Sequence, residues 1–285
     1  MDYQIVHTTT YTYSQAVDLA PHLVRLRPRS DAFQTLQSFS IDVTPSPLGQ
    51  SDIVDLGGND IIKLWFKQKT ETLNIKVSSH VQTHCINPFN YLLESWALEL
   101  PITDYPVSLF AHLQPYLQSS SVDPIMPQLA QEIWQTAEGS LISFLNNLNQ
   151  RIYQTCRYIV RETGAPLPPG VTWTQQMGSC RDLAVVFIEA CRAVGIPARF
   201  VSGYQEGDVS QLDRHLHAWA EVYLPGAGWH GYDPTQGLAV SDRHIALVAT
   251  AIPREAAPVT GSFRGVGAKS QIDYTLSINP SREER

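Results

Sequence analysis

The chain has 285 residues, of which 43% are hydrophobic and 16% are charged, so it can build a sizeable core and is not expected to be disordered. Its formal net charge is −7 and it has no cluster of Lys and Arg, which argues against nucleic acid or an anionic membrane as partner. No apolar run approaches the roughly 20 residues of a membrane span, and no secretory signal pattern is found. We therefore expect a cytoplasmic protein of one large domain or two, and the sequence predicts no oligomeric state.

The four cysteines argue against a disulfide scaffold. They are Cys85, Cys156, Cys180 and Cys191. Their spacing contains no CxxC pair and no dense framework, so structural zinc is also disfavoured. A reducing cytoplasm would keep a nucleophilic thiol active. Cys156 and Cys191 fall on predicted helices, where we expect them to be buried and inert.

The first third of the chain is predicted to be β structure. Polar–apolar alternation with Thr, Tyr and β-branched residues predicts strands at 3–13, 36–43, 61–66 and 73–81. Gly and Pro residues near 45–49 and 57–60 predict turns between them. Several short strands with such turns indicate a sandwich or small barrel, which we assign to a domain at 1–88. Its histidines are scattered, and we expect structural roles for them: His7, His22, His80 and His84.

The second part mixes helices and strands. A linker with a short helix is predicted at 92–121, and helical periodicity follows at 124–137, at 140–152 and at 180–194. Strands are predicted at 198–204, 217–224, 229–233, 245–251 and 272–278, the second and third forming a hairpin. The predicted fold class is α+β, with a core domain at 89–240 and a C-terminal β extension at 241–285 that packs on the other domains.

Cys180 is the candidate nucleophile. It stands where a predicted loop becomes a helix, so unpaired backbone N–H groups and the helix dipole surround it. Both favour thiolate over thiol, and the same N–H groups can hold the oxyanion of a tetrahedral intermediate. Gly178 would allow a close backbone approach beside it. A lone Cys at a helix start is also often only a small apolar residue.

His217 and Asp233 are the candidate partners of that cysteine. His217 opens one strand of the predicted hairpin and Asp233 ends the other, so the hairpin brings them together. A histidine can give a proton to a departing amine near neutral pH, and an aspartate can fix its tautomer. The two share a face only if the hairpin loop has an odd number of residues or a bulge intervenes.

Other polar residues near these motifs are weaker candidates for a function. His215 is a rival base, because it lies two residues before His217 and would face the same side of a strand. His215 and His217 also offer a metal interpretation with His230 or Cys180 as further ligands, but the spacing fits no standard zinc signature. Trp173 is interpreted as a packing residue, with an indole contact to an oxyanion as the alternative. Arg181 and Asp182 are interpreted as surface or loop-bracing residues.

Four segments around the candidate triad resemble the transglutaminase-like superfamily. They are GSCRDLA at 178–184, RAVGIPARFVSGY at 192–204, HAWAEV at 217–222 and DPT at 233–235. The N-terminal segments HTTTYTY at 7–13, LVRLRPR at 23–29 and GN at 58–59 resemble the N-terminal region of bacterial transglutaminase-like proteins, many of them assigned as cysteine proteases.

The resemblance implies a papain-like core in which the family's catalytic Cys, His and Asp fall on Cys180, His217 and Asp233. It implies no metal and no organic cofactor, and it does not identify a substrate. We predict thiol attack on an amide or peptide carbonyl followed by hydrolysis. The alternatives are a protein-glutamine cross-linking transglutaminase and a non-catalytic binding or scaffold protein that keeps the fold.

Three arginines in the N-terminal part form its only concentration of charge. Arg25, Arg27 and Arg29 alternate with Leu26 and Pro28, so one face of a strand would carry three guanidinium groups. We expect salt bridges at a domain interface, with recognition of a carboxylate-bearing partner as the alternative.

Overall fold

The computed structural model describes residues 1–119, 123–207 and 214–281. Within these ranges the N-terminal part consists of strands, as predicted. They are β1 (Asp2–Leu19), β2 (His22–Val24), β3 (Gln34–Thr44), β4 (Gly49–Val54), β5 (Asp60–Trp65) and β6 (Thr70–Thr83). Strands β2 and β4 were not predicted.

Strand β1 organises the N-terminal sheet. It pairs antiparallel with β6 on one side and with the C-terminal strand β16 (Ser270–Ser281) on the other. Its odd-numbered residues from Tyr3 to Thr9 are buried, whereas the even-numbered ones are at least partly exposed. This period of two turns one face of the sheet toward the rest of the molecule.

A second N-terminal sheet runs in the order β14-β2-β5-β4, in which β14 (Val259–Thr260) comes from the C-terminal part of the chain. The segment with the three arginines follows β2 and lies outside any strand, so the prediction of a one-faced guanidinium row is wrong. Arg25 instead donates to Ala257 O and Thr260 Oγ1 of the C-terminal part.

The second part of the chain supplies the helices. They are α1 (Val107–Leu117), α2 (Ile125–Thr136), α3 (Leu141–Thr155), α4 (Pro169–Gln175) and α5 (Cys180–Ala193). Helix α5 is the central one, since every residue from Asp182 to Arg192 is buried. It ends at Gly195, whose φ of 78° favours glycine and where a Cβ would lie 2.4 Å from Ile102 O.

The core sheet has the order β12-β11-β10-β9-β13. Its strands are β9 (Ala198–Gln205), β10 (His217–Leu224), β11 (Gly228–Asp233), β12 (Leu238–Ala239) and β13 (His244–Thr250). A short parallel pair, β7 (Arg157–Tyr158) and β8 (Met177–Gly178), lies just before α5. Helix α4, just before β8, was not predicted.

The C-terminal part is distributed over all three of these sheets. Strand β13 joins the core sheet, β14 the second N-terminal sheet, and β15 (Phe263–Arg264) and β16 pair with β1. This arrangement confirms the α+β class, with a β-rich N-terminal region, a core of helices and an antiparallel sheet, and a C-terminal β extension. The limits 1–88, 89–240 and 241–285 remain our proposed division. None of the described helices is long and apolar enough to cross a membrane.

Candidate active site

The candidate nucleophile lies at the first residue of α5. Ser179 caps the helix in an extended conformation, and the Asp182 carboxylate accepts from the Ser179 backbone N–H at 2.8 Å. Gly178 is tightly packed, because a Cβ there would lie 2.9 Å from the Asp182 Cβ. A larger residue at position 178 would therefore displace the side chains at the start of α5. Cys180 itself is partly exposed, so its thiol is open to a ligand.

The hairpin brings His217 and Asp233 into contact. Leu224 pairs with Gly228, so the loop has three residues and the predicted condition of an odd number is met. Asp233 consequently faces the same side as His217, and the His217 Nε2 lies 2.7 Å from the Asp233 Oδ2. Cys180 lies close enough to the same ring to raise the pKa of His217. Since Nε2 faces Asp233, Nδ1 is the ring nitrogen left for Cys180.

The electrostatics of this set favour a protonated imidazole. Burial of the ring would lower the pKa of His217, but Asp233 and Cys180 outweigh burial and raise it to about 10. Burial also disfavours the charged form of Asp233, so it would raise the pKa of that carboxyl. The contacts with His217 and His244 outweigh that effect and hold this pKa well below its usual range. The arrangement suits a buried carboxylate–imidazolium pair beside a thiol.

The rival candidates make other contacts, although His215 lines the same cleft as Cys180. His215 contacts the hydroxyl of Tyr274 on β16, whereas the Asp233 carboxylate is on His217. Trp173 packs against the hydrophobic core, in agreement with the packing interpretation. Cys156 and Cys191 are buried, as predicted, and burial raises the pKa of the Cys156 thiol to about 11.

Asp182 braces a loop, as predicted, but it is fully buried and not at the surface. Its Oδ1 accepts from Arg161 Nη2 at 2.6 Å and from the Leu167 backbone N–H at 2.7 Å. Arg181 donates to the carbonyl oxygen of Thr163 at 3.2 Å. The two residues therefore fix the 161–167 loop beside the start of α5.

Cys180 opens into a cleft of about 400 Å³. One wall comes from the 160–166 loop, and the opposite side comes from the N-terminal sheet. The sheet residues that line it are His7, Thr9 and Tyr11 of β1 and Ile272 and Tyr274 of β16. Sequence analysis missed these residues as cleft residues. The available signal was the period of two in β1, which places polar His7 and Thr9 in phase with the inward residues Tyr3 and Ile5.

A second histidine, His244, contacts the Asp233 Oδ2 at 3.2 Å. It was not singled out in the sequence because it lies 27 residues beyond His217 in no recognisable motif. His217, Asp233 and His244 are close enough to hold a metal ion. However, the 2.7 Å between the His217 Nε2 and the Asp233 Oδ2 is a hydrogen-bond length. Two ligands of one zinc ion, each bound at about 2.0 to 2.2 Å, stand further apart.

A thiol at a helix start, a histidine on an antiparallel sheet and a carboxylate behind it define a papain-like arrangement. Residues 127–234 match the Transglutaminase-like superfamily, and residues 3–82 match the Bacterial transglutaminase-like N-terminal region. The core of the chain, over residues 127–234, is therefore transglutaminase-like.

Some similar proteins align with nearly the whole chain. A crystal structure from Cytophaga hutchinsonii, provisionally assigned as a cysteine protease, has a TM-score of 0.74 at 21% identity over 99% of this chain and 92% of its own. It shows the same fold. An uncharacterised protein of Mycobacterium tuberculosis is 26% identical over 98% of this chain and 92% of its own length.

A more local similarity reaches a named enzyme. A protein-glutamine gamma-glutamyltransferase of Pseudomonas aeruginosa is 36% identical over 84 residues. These residues make up 27% of this chain and 13% of the Pseudomonas protein. The similarity therefore concerns one segment of each protein.

Proposed function

We propose that this protein is a cysteine hydrolase of amide or peptide bonds, with Cys180 as nucleophile, His217 as acid and base, and Asp233 as the residue that orients His217. One observation carries the proposal. The thiol at the start of α5 lies beside a histidine whose Nε2 is 2.7 Å from a buried carboxylate, and both the thiol and the histidine line an open cleft.

The chemistry follows from this set. The Cys180 thiolate attacks the carbonyl carbon, and the backbone N–H at the start of α5 stabilises the oxyanion. The C–N bond then breaks, the imidazolium of His217 gives its proton to the departing amine, and a thioester to Cys180 remains. His217 next takes a proton from water, whose oxygen attacks the thioester. The C–S bond breaks, the acid is released, and the Cys180 thiolate and the His217 imidazolium are restored.

The cleft supports an extended amide substrate. Its walls combine aromatic rings with hydrogen-bonding groups, since Tyr11, Tyr158 and Tyr274 line it together with Thr9 and Ser202. Such a surface can accept peptide groups and flat side chains at once. Peptides, including modified ones, are therefore the substrate class that we propose.

The second candidate function is transfer of the acyl group to an amine. The local similarity to a protein-glutamine gamma-glutamyltransferase favours it. The first half-reaction would be the same, and the acceptor would be a primary amine in place of water. Hydrolysis is our first proposal because the cleft is open to solvent at Cys180 and water needs no binding site of its own.

The decisive experiment is to trap the acyl-enzyme. Wild type and Cys180→Ala would be incubated with a peptide library and digested, and the adduct on residue 180 would be read by mass spectrometry. We expect a thioester on Cys180 in wild type only. A fluorescent primary amine added to glutaminyl peptides distinguishes the two functions, because only a transferase attaches it to the peptide.

Site-resolved alkylation by iodoacetamide tests the nucleophile without a substrate. We expect Cys180 to react faster than Cys85 below pH 7, because the neighbouring imidazolium favours the thiolate. Equal rates at both residues would support a non-catalytic protein that retains the fold. The cytoplasmic location and the lack of nucleic-acid and membrane partners stay predictions.

A further inference from the structure

We propose that His244 is a positioning residue that holds Asp233 in place for His217, and that the N-terminal sheet fixes the strand segment that carries His244. This inference rests on the proposed function, because it concerns the same triad. It gives the N-terminal sheet a role in catalysis beyond lining the cleft.

The Asp233 carboxylate is held by three hydrogen-bond donors. Its Oδ1 accepts from the Thr235 backbone N–H at 2.9 Å. Its Oδ2 is shared by His217 at 2.7 Å and His244 at 3.2 Å. Without His244 the Oδ2 atom would be fixed only by His217, the residue that Asp233 is meant to orient. His244 therefore supplies an independent constraint on the direction of the carboxylate.

The tautomer of His244 follows from its surroundings. Its Nε2 faces the carboxylate, whereas its Nδ1 is buried and has no hydrogen-bond partner among the described residues. The proton of the neutral ring therefore lies on Nε2, where it is donated to Asp233. The indole of Trp219 packs edge-on against the ring, with 5.2 Å between the ring centroids, and limits its rotation.

Residues of the N-terminal sheet form hydrogen bonds with the backbone on both sides of His244. Two residues before it, the Asp242 carbonyl accepts from Thr83 Oγ1 at 2.7 Å and from the Tyr3 hydroxyl at 3.2 Å. Two residues after it, the Gln34 side chain accepts from the Ala246 N–H at 2.7 Å and donates to the Ala246 carbonyl at 2.9 Å.

These contacts place the backbone of His244 under the control of β1, β3 and β6. Gln34 and Thr83 are themselves buried, so their hydrogen bonds are shielded from water and costly to lose. The position of His244 relative to Asp233 is therefore set from the N-terminal sheet and not by β9 alone.

Other titratable groups near this assembly are few. Asp31, Cys85, Glu221 and His230 line the small cavity beside His244, and Glu221 is paired with Arg199 at 2.6 Å. On the cleft side, Tyr158 lies close enough to Asp233 for an electrostatic interaction, and Cys180 lies close enough to His217. None of the cavity residues donates a hydrogen bond to the described Asp233 carboxylate.

The test is the pH dependence of Cys180 alkylation by iodoacetamide, read site by site between pH 3 and 9. His244→Met removes the donor, His244→Gln restores an amide donor near the Nε2 position, and His230→Gln is the control on the same cavity. Without His244, Asp233 holds the His217 imidazolium less firmly toward Cys180, so the thiolate loses stabilisation and the acid limb of His244→Met should move up. A hydrogen bond to a charged group is worth about one to two pH units, which sets the upper limit of this indirect shift, and we expect about one unit or less. His244→Gln should recover part of the shift, and His230→Gln should match wild type.

A residue with a purely structural role would lower the melting temperature and leave the acid limb in place. That outcome for a folded His244→Met would overturn the positioning role. Wild-type Cys180 that reacts no faster than Cys85 would instead overturn the proposed function, so the two failures are distinguishable.

The contribution of the sheet is tested with Gln34→Ala and its matched control Gln37→Ala, an exposed glutamine on the same strand. We expect Gln34→Ala to shift the acid limb in the same direction as His244→Met. If Gln34→Ala does not fold, Thr83→Val replaces it in the test, since it removes the hydroxyl bonds to Asp242 O at 2.7 Å and to Met1 O at 3.3 Å and keeps the shape of the side chain. An unshifted acid limb in the folded variant would contradict the role of the sheet.

Discussion

The N-terminal sheet and the core sheet carry their polar residues in different ways. Along β1 the burial alternates, so each inward position can be read from the sequence by its phase. Along β10 the residues from His217 to Ala220 are all buried, and phase alone does not distinguish a working side chain from a core one. His217 and Trp219 share a face and differ in role only through their contacts.

This difference shows which residues a sequence pattern can identify and which only the fold can identify. In the core, the proposed chemistry depends on residues that meet across long separations, such as Cys180 and His217. In the N-terminal sheet, the inward polar residues His7 and Thr9 mark the part of the sheet that lines the cleft. The cleft is lined by both the N-terminal sheet and the core. Substitutions in each part therefore test whether that part contributes to the reaction or only to stability.

The largest effect is expected for Cys180→Ala in the core. It removes the nucleophile, and no other described cysteine lines the cleft. We expect turnover to fall on the order of 10⁴-fold or more with the melting temperature nearly unchanged. Cys85→Ala is the control and should retain the wild-type rate. Full activity in Cys180→Ala would show that the nucleophile is wrongly assigned.

Asp233→Asn should follow in size. The amide keeps the shape but removes the charge that raises the pKa of His217 to about 10. The pKa of His217 must then fall, so the basic limb of the pH–rate profile should move to lower pH. We expect a loss of about 10² to 10⁴-fold in kcat with little change in KM. An unshifted basic limb would mean that Asp233 does not control the imidazole.

Much of the core was predictable from local signals. Ser179, Gly195 and Pro197 bound helix α5, and its observed limits agree with the predicted 180–194 within one residue. The odd loop between β10 and β11 was inferred as a condition for contact between His217 and Asp233, and the register meets it.

Other features depend on long-range contacts that a sequence pattern does not contain. His244 meets Asp233 because β13 pairs with β9, and nothing in its neighbourhood marks it. Arg25 was placed on a strand by simple alternation, whereas its guanidinium ends on residues more than 230 positions away. The short strands β2 and β4 were missed because two to six residues carry little periodicity.

A smaller effect is expected where the N-terminal part meets the core at Asn59. This side chain is fully buried and exchanges two hydrogen bonds with the backbone of Ala249 at the far end of β13. Asn59→Ala leaves both backbone groups unpaired, so we expect a loss of about 2 to 4 kcal/mol in the free energy of unfolding. Denaturant unfolding measures it.

Cys180 alkylation by the folded Asn59→Ala variant should match wild type, because Ala249 lies five residues beyond His244. The variant Asn90→Ala, at an exposed asparagine, is the control for unfolding. A shifted pH profile in Asn59→Ala would mean that the whole of β13, and not only its first residues, responds to the N-terminal sheet.

The smallest effect is expected from the arginines of the N-terminal part, and it should be unequal among them. Arg27 pairs with Asp52 at 3.3 Å in a solvent-accessible position, where a salt bridge is worth about 0 to 1 kcal/mol. Arg25 is buried against Ala257 and Thr260, so Arg25→Gln should cost more than Arg27→Gln. Thermal unfolding of the single variants and of the triple variant with Arg29→Gln measures the order.

We expect KM to stay at the wild-type value, because none of the three lines the cleft. A raised KM with unchanged stability would instead assign these arginines to recognition of a carboxylate on the substrate, and the N-terminal part would then bind substrate at a second place outside the cleft.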